Sequence, residues 1–187
     1  MAVETATWRA LAMPVARREA RVLTFDDAAR DHQDEIFGLA LRILGDRDAA
    51  GDVASAVLLK AYRAFHRYDQ SRPVRPWLLR ITANEALSAA RRIARERSRS
   101  AAPEEALAVA DAGAGPERAL VEREERERVR AAVVSLPELY RLPVVLRYFN
   151  DLSLEEIGDV TGRSVSTIGV QLLRGRALLR SALEGTP

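Results

Sequence analysis

No cysteine occurs in the 187-residue chain, which excludes disulfides and cysteine-ligated zinc. Histidine is almost as scarce: His32 and His66 stand apart, form no metal cluster or catalytic triad, and are read as surface or helix-packing residues. A glycine-rich phosphate loop is missing, and no carboxylate pair is joined to a metal-type histidine, so the sequence predicts neither an enzyme nor a cofactor. No apolar run approaches the length that crosses a bilayer and the first residues lack a signal-peptide core, which leads to the expectation of a cytoplasmic chain without membrane insertion. Lysine is nearly absent, Lys60 being the single one among 29 lysine and arginine side chains. Arginine favours planar, bidentate contacts to phosphate and base edges, although a GC-rich genome produces the same bias. The net charge is only +2, so any basic surface must come from segregation.

What the chain does contain is helix. No run shows the alternating, β-branched pattern of a strand, and the expected fold class is all-α. One amphipathic helix is predicted from Phe25 to Leu44 through Ala29, Ile36, Ala40 and Ile43, stopping at Gly45. Asp46 or Asp48 then caps a second helix that runs through Val53, Val57 and Ala61 to about Phe65. The polar loop YDQSRPVRP follows, stiffened by Pro73 and Pro76 and carrying Arg72 and Arg75; a third helix is expected from Trp77 to Arg97. Between Ser98 and Pro116 the composition shifts to Ala, Ser, Gly and Pro, as in a flexible linker. The chain is accordingly divided into an extension, 1–22, a first helical domain, 23–97, a linker, 98–116, and a second helical domain, 117–187. In the second domain Val129, Val133 and Leu136, then Leu139, Leu142, Val145, Leu146 and Phe149, are expected to supply the core.

The last forty residues hold the most specific local signal. Ser153 and Glu156 have the S-x-x-E spacing of a capping box, with Leu154, Ile157 and Val160 as an inward stripe and Gly162 as a stop. Ser164 caps a further helix whose Val165, Ile168, Leu172, Gly175 and Leu179 fall on one side. Arg163, Ser166, Val170, Leu173 and Arg174 lie opposite, with Thr167 and Gln171 at the margins. A cap, a glycine turn and outward arginines at this spacing describe a helix-turn-helix. In a major groove the arginines would meet phosphate or guanine, Gln171 adenine and Val170 a thymine methyl. The plainer reading is a helical hairpin with a solvated arginine face.

Counting separates the third helix into two faces. Leu79, Ala83, Ala86, Ala90 and Ile93 form the apolar one; Trp77, Ile81, Asn84, Ser88, Arg91 and Arg95 lie opposite. An aromatic ring, an amide, a hydroxyl and then arginines suit a strand with exposed bases. A tryptophan more often buries its area than offers it to a ligand, which favours packing for Trp77 over contact. Asn84, Arg91 and Arg92 are read as facing nucleic acid.

The segment DDAARDHQDEIFGLALRILGDRDAAGDVASAVLLKAYRAF, followed by WLLRITANEALSAARR, resembles region 2 of the extracytoplasmic-function group of the bacterial sigma-70 family. LPELYRLPVVLRYFNDLSLEEIGDVTGRSVSTIGVQLLRGRALLR resembles region 4 of the same group. The resemblance implies a dissociable subunit that binds core RNA polymerase and directs promoter-specific initiation, with an anti-sigma factor as a further partner. It also implies that region 2 meets the melted minus-10 element through Arg72, Arg75, Trp77, Asn84, Ser88, Arg91 and Arg92, with Asn84 at an extruded base. Region 4 would meet the minus-35 element through Arg163, Ser166, Thr167, Gly169, Val170, Gln171, Leu173 and Arg174. Asp48, Asp52, Leu58 and Leu59 fall on the surface implied to grip polymerase. The chain departs from the family pattern at Gly51, Ser55 and Ala56, beside that surface, and at Gly169 and Gln171, where basic residues are common. Weaker phosphate anchoring, and dependence on polymerase, are the expected results. An autonomous operator-binding regulator accounts for residues 151–183 but leaves the Trp77 to Arg97 face unexplained; a small helical phosphohydrolase accounts for neither.

Overall fold

The computed structural model describes residues 23–99 and 118–185, all of whose regular elements are helical. The expectations for residues 1–22 and for residues 100–116 of the linker lie outside the described residues. The first unit consists of α1 (Phe25–Leu44), α2 (Arg47–Ala64), a 3-10 turn (Phe65–Arg67) and α3 (Val74–Arg99). Local chemistry sets the first boundaries. Thr24 accepts from the Asp27 N–H to start α1, Gly45 ends it at φ 75°, and Asp46 accepts from the Ala49 N–H to start α2. Ile36, Leu39 and Ile43 of α1, Val53, Val57 and Ala61 of α2, and Leu78, Leu79, Ala83 and Ala86 of α3 are buried together. Each large aliphatic side chain so buried contributes about 1.5–3 kcal/mol. Thr82, buried among them, donates its hydroxyl to the Leu78 carbonyl at 2.8 Å, so that hydroxyl is not stranded.

Two expectations for α3 need correction. The helix begins at Val74, not Trp77, and Pro76 sits in its first turn, where a missing N–H costs nothing because no intrahelical acceptor precedes it. Its buried stripe runs through Leu78, Leu79, Thr82, Ala83, Ala86 and Ala89, leaving Ala90 and Ile93 half-buried.

The second unit contains α4 (Arg118–Ser135), α5 (Glu138–Tyr148), α6 (Leu154–Thr161) and α7 (Val165–Glu184). Leu142, Val144, Val145 and Leu146 of α5 pack with Ile157 and Val160 of α6 and Ile168 and Leu172 of α7. Leu139 and Phe149, expected in this core, are exposed at the two ends of α5, and Val165, expected inward, is exposed too. Phe149 instead receives the Arg42 guanidinium over its ring at 4.5 Å.

The units meet. α3 packs on α6, and α1 packs on α4 and α5, so the two cores form one continuous apolar cluster. Arg141 donates to the Ile43 carbonyl at 2.6 Å, satisfying an acceptor that the end of α1 leaves without a helical partner.

Candidate nucleic-acid interface

The helix-turn-helix is built from its caps upward. The Ser153 hydroxyl accepts from the Glu156 N–H at 3.1 Å while the Glu156 carboxylate accepts from the Ser153 N–H at 2.8 Å, completing the capping box. Gly162, at φ 69°, turns the chain, and Ser164 accepts from the Thr167 N–H at 3.3 Å to open α7. The helix is held close to α5 at Gly175, where a Cβ would stand 2.7 Å from Val144 Cγ2. Its opposite face is exposed at Ser166, Thr167, Val170, Leu173 and Arg174, with Gly169 half-buried beside them. Val170 and Leu173 are 50% and 69% exposed.

Arg163 and Gln171 do not join that face. Gln171 is 6% exposed and its Oε1 accepts from Arg163 at 3.0 Å. Arg163 also reaches the Leu139 carbonyl at 3.5 Å, the acceptor that Pro143 leaves without its helical N–H. Both side chains therefore tie α7 to α5 from within.

Along α3, Asn84, Ser88, Arg91 and Arg92 are exposed and share one face with Arg95. The charge is segregated here: α3 carries seven arginines (75, 80, 91, 92, 95, 97 and 99) against Glu85 and Glu96, whereas the whole chain totals +2. α1 is correspondingly acidic, with Asp26, Asp27, Asp31, Asp34 and Glu35 against Arg30 and Arg42. Arg72 is exposed in the loop and pairs with Asp69 at 3.7 Å; Asp69 itself accepts from the Ser71 N–H and hydroxyl, which hold its carboxyl below the ordinary value. Trp77 is half-buried, its ring 4.9 Å from Tyr68 and 6.2 Å from Phe65, so packing takes most of its area.

Arg75 is half-buried and committed elsewhere. Its Nε donates to both Glu35 oxygens at 3.0 Å and its Nη2 to Oε1 at 2.6 Å and to the Asn150 carbonyl. The Asn150 side chain adds a 2.9 Å hydrogen bond to Glu35. Burial pushes the Glu35 carboxyl up, but the Arg75 and Asn150 hydrogen bonds and the Arg75 charge outweigh it and hold it below 4.5. The same bond to Glu35 raises Arg75. Arg91 likewise forks onto Glu138 of α5, through Nε to Oε2 at 3.2 Å and through Nη2 to Oε1.

On α2, Asp48, Asp52 and Leu59 are exposed and Leu58 is half-buried. Tyr62, absent from the sequence-based candidates, is 63% exposed beside Leu59, with its ring 5.2 Å from Phe25. Glu35 and Asn150 were also missed. The i, i+3 spacing of Leu59 and Tyr62 carried a signal for the first; 115 residues separate the other two, and nothing local pairs them.

A helical unit with an amide-and-arginine face, joined to a helix-turn-helix, defines a class of DNA-directed transcription subunit. The family description "Sigma-70 region 2" matches residues 28–96, and "Sigma-70, region 4" matches residues 126–179. The chain is 33% identical over 167 residues to "ECF RNA polymerase sigma factor SigW" of Bacillus subtilis, covering 86% of this chain and 89% of that one. It is 33% identical over 165 residues to "ECF RNA polymerase sigma factor SigE" of Mycolicibacterium smegmatis, covering 88% of this chain and 63% of that one. The fold is shared with the sigma factor RpoE, solved with the anti-sigma factor NepR from Bartonella quintana, at a TM-score of 0.72 and 21% identity over 86% of this chain and 96% of that one. The chain belongs to the ECF, or extracytoplasmic-function, group of sigma-70 factors. It is a non-enzymatic subunit that binds core RNA polymerase and directs transcription initiation through regions 2 and 4. The region 2 match supplies the account of α3 that a free-standing operator-binding regulator lacked.

Proposed function

We propose that region 2 reads the melted minus-10 strand with the outer face of α3, and that region 4 reads the minus-35 duplex with the outer face of α7. The observation that carries the reading is the exposed row Asn84, Ser88, Arg91 and Arg92 on the most basic helix of a nearly neutral chain. Asn84 presents both a donor and an acceptor to the Watson–Crick edge of an extruded base, while Arg91 and Arg92 hold the backbone and Ser88 supplies a hydroxyl. Arg72 adds charge from the preceding loop. In region 4, Ser166, Thr167 and Arg174 supply polar contacts, and Val170 and Leu173 supply apolar ones. Gly169 lets the helix backbone approach the groove, since no Cβ stands there.

Asp48, Asp52, Leu58, Leu59 and the adjoining Tyr62 form the surface assigned to polymerase. The proposed partners are core polymerase, promoter DNA and an anti-sigma factor, the last supported by the complex in which the structural relative was solved. The proposed location is the cytoplasm; none of the described helices is long and apolar enough to cross a membrane.

Run-off transcription with core polymerase across a promoter library tests the assignment. Asn84→Ala is expected to lower opening or change minus-10 choice by about 1–3 kcal/mol, the cost of losing one good base contact. Arg174→Ala is expected to weaken upstream binding and leave minus-10 choice intact. Equal activity of both variants at every promoter would refute the residue assignments.

A further inference from the structure

We infer that Lys60 is a positioning residue for the promoter strand: it reaches from α2 to neutralise Glu85, an acid that stands inside the strand-reading row of α3. The inference rests on the assignment of α3 to the minus-10 strand. Glu85 follows Asn84 directly and is the only acid of α3 before Glu96. The helical period puts it on the same side as Ser88, about one turn on, and Arg92, about two turns on. Those steps are about 4.5 and 10.5 Å along the axis. A phosphate held at Ser88 or Arg92 is thus close to the Debye length of about 10 Å, at about 0.1 M salt, from a carboxylate that repels it.

The cation that meets this carboxylate comes from another helix, although α3 carries seven arginines. Lys60 Nζ donates to Glu85 Oε1 at 2.5 Å, across 25 residues of sequence. Val57 and Ala61, on either side of Lys60, are fully buried in the core that α2 shares with α3, so the root of the lysine is fixed at the seam between the two helices. In a chain that uses arginine everywhere else, the one lysine meets one carboxylate oxygen as a point charge. The Lys60 and Glu85 side chains are 56% and 23% exposed, so the pair adds little to stability. Its effect lies in the field above α3. Without the ammonium, a full negative charge returns to a row that otherwise attracts anions.

Binding of purified holoenzyme to a forked promoter with a single-stranded minus-10 element tests the inference. Lys60→Gln keeps most of the stem and removes the charge; it is expected to weaken binding about two- to fivefold at low salt and by less at high salt, where the field is screened. Lys60→Arg keeps the charge and is expected to bind as the parent does. Glu85→Gln should bind at least as tightly as the parent, and adding it to Lys60→Gln should restore parental binding, the signature of two coupled positions. A double variant as weak as Lys60→Gln overturns the inference, because the lysine would then act on phosphate directly. Equal binding by the parent and Lys60→Gln at low salt overturns it too. Melting temperature and holoenzyme assembly are expected to be parental in every variant, and a Lys60→Gln defect that follows either of these instead of fork binding also overturns it. Asn84→Ala and Arg92→Ala on the same fork separate this inference from the reading beneath it. If neither weakens binding, the assignment of α3 and the role of Lys60 fall together; if both do and Lys60→Gln does not, only the role of Lys60 falls.

Discussion

The contact between α5 and α7 makes a quantitative prediction about the recognition helix. Gly169 and Gly175 lie in the same helix, and alanine at either position gains about 1 kcal/mol of helix propensity. A Cβ at Gly169 meets nothing within 4 Å, so that gain is retained. At Gly175 the Cβ would stand 2.7 Å from Val144 Cγ2 and 3.4 Å from Tyr140 Cβ. Val144 is 1% exposed and β-branched in a helix, so it has almost no alternative rotamer into which to retreat. Either α7 moves off α5 or the side chain strains, at about 1–3 kcal/mol. Because propensity cancels between the two variants, Gly175→Ala should be less stable than Gly169→Ala by that clash alone. Urea unfolding followed by helical circular dichroism measures the difference in midpoint. Equal midpoints would show that α5 and α7 are not in close approach, and the placement of the outer face of α7 would fall with it.

Three further outcomes follow from single contacts. Ser153→Ala should cost about 1 kcal/mol in the same assay, because one half of a complete capping box is lost. Glu35→Gln should change the pH dependence of stability: the folded carboxyl lies below 4.5, so its contribution is full above that value and is lost as pH falls through the lower folded one. The melting temperature of the unaltered chain should exceed that of Glu35→Gln near neutrality, and the gap should close in acid; a gap that widens in acid would refute the sign. Tyr62→Ala should weaken association with core polymerase in a pull-down while leaving the melting temperature near that of the parent, since the ring is largely in solvent.

Features that were legible in the sequence are those written in neighbouring residues. The limits of α1, the Ser153–Glu156 box, and the Gly162 and Ser164 turn depend on groups within four residues of each other and stand where the spacing placed them, while the cap of α2 falls on Asp46, one of the two aspartates the sequence left open. The start of α3 was misplaced because Pro76 breaks a helix only beyond its first turn, and the sequence does not say which turn a proline occupies. Leu139 and Phe149 fit the apolar count of α5 but lie at its ends, where burial depends on what packs there. Arg75, Asn150, Glu35 and Arg141 are partners at separations of 40 to 115 residues, and no period or motif links them. Joining the two units was therefore invisible, although each unit was readable.

Arginine identity alone does not distinguish a DNA contact from a strut, and Arg163 in the turn and Arg174 within α7 separate the cases. Arg174 is exposed on the outer face of α7, whereas Arg163 is spent on Gln171 and on the carbonyl freed by Pro143. An arginine that binds phosphate releases a condensed counterion, so its removal reduces the slope of log affinity against log salt by about 1. An arginine held by a buried acceptor contributes nothing to that slope, but its removal strands Gln171 Oε1 in the interior at about 1–3 kcal/mol. Holoenzyme containing Arg174→Ala should therefore show a shallower salt dependence on minus-35 DNA at unchanged chain stability. Holoenzyme containing Arg163→Ala should keep the slope and lose stability. The opposite pattern would place Arg163 in the groove and Arg174 in the scaffold, and with them would reverse the face of α7 that meets the promoter.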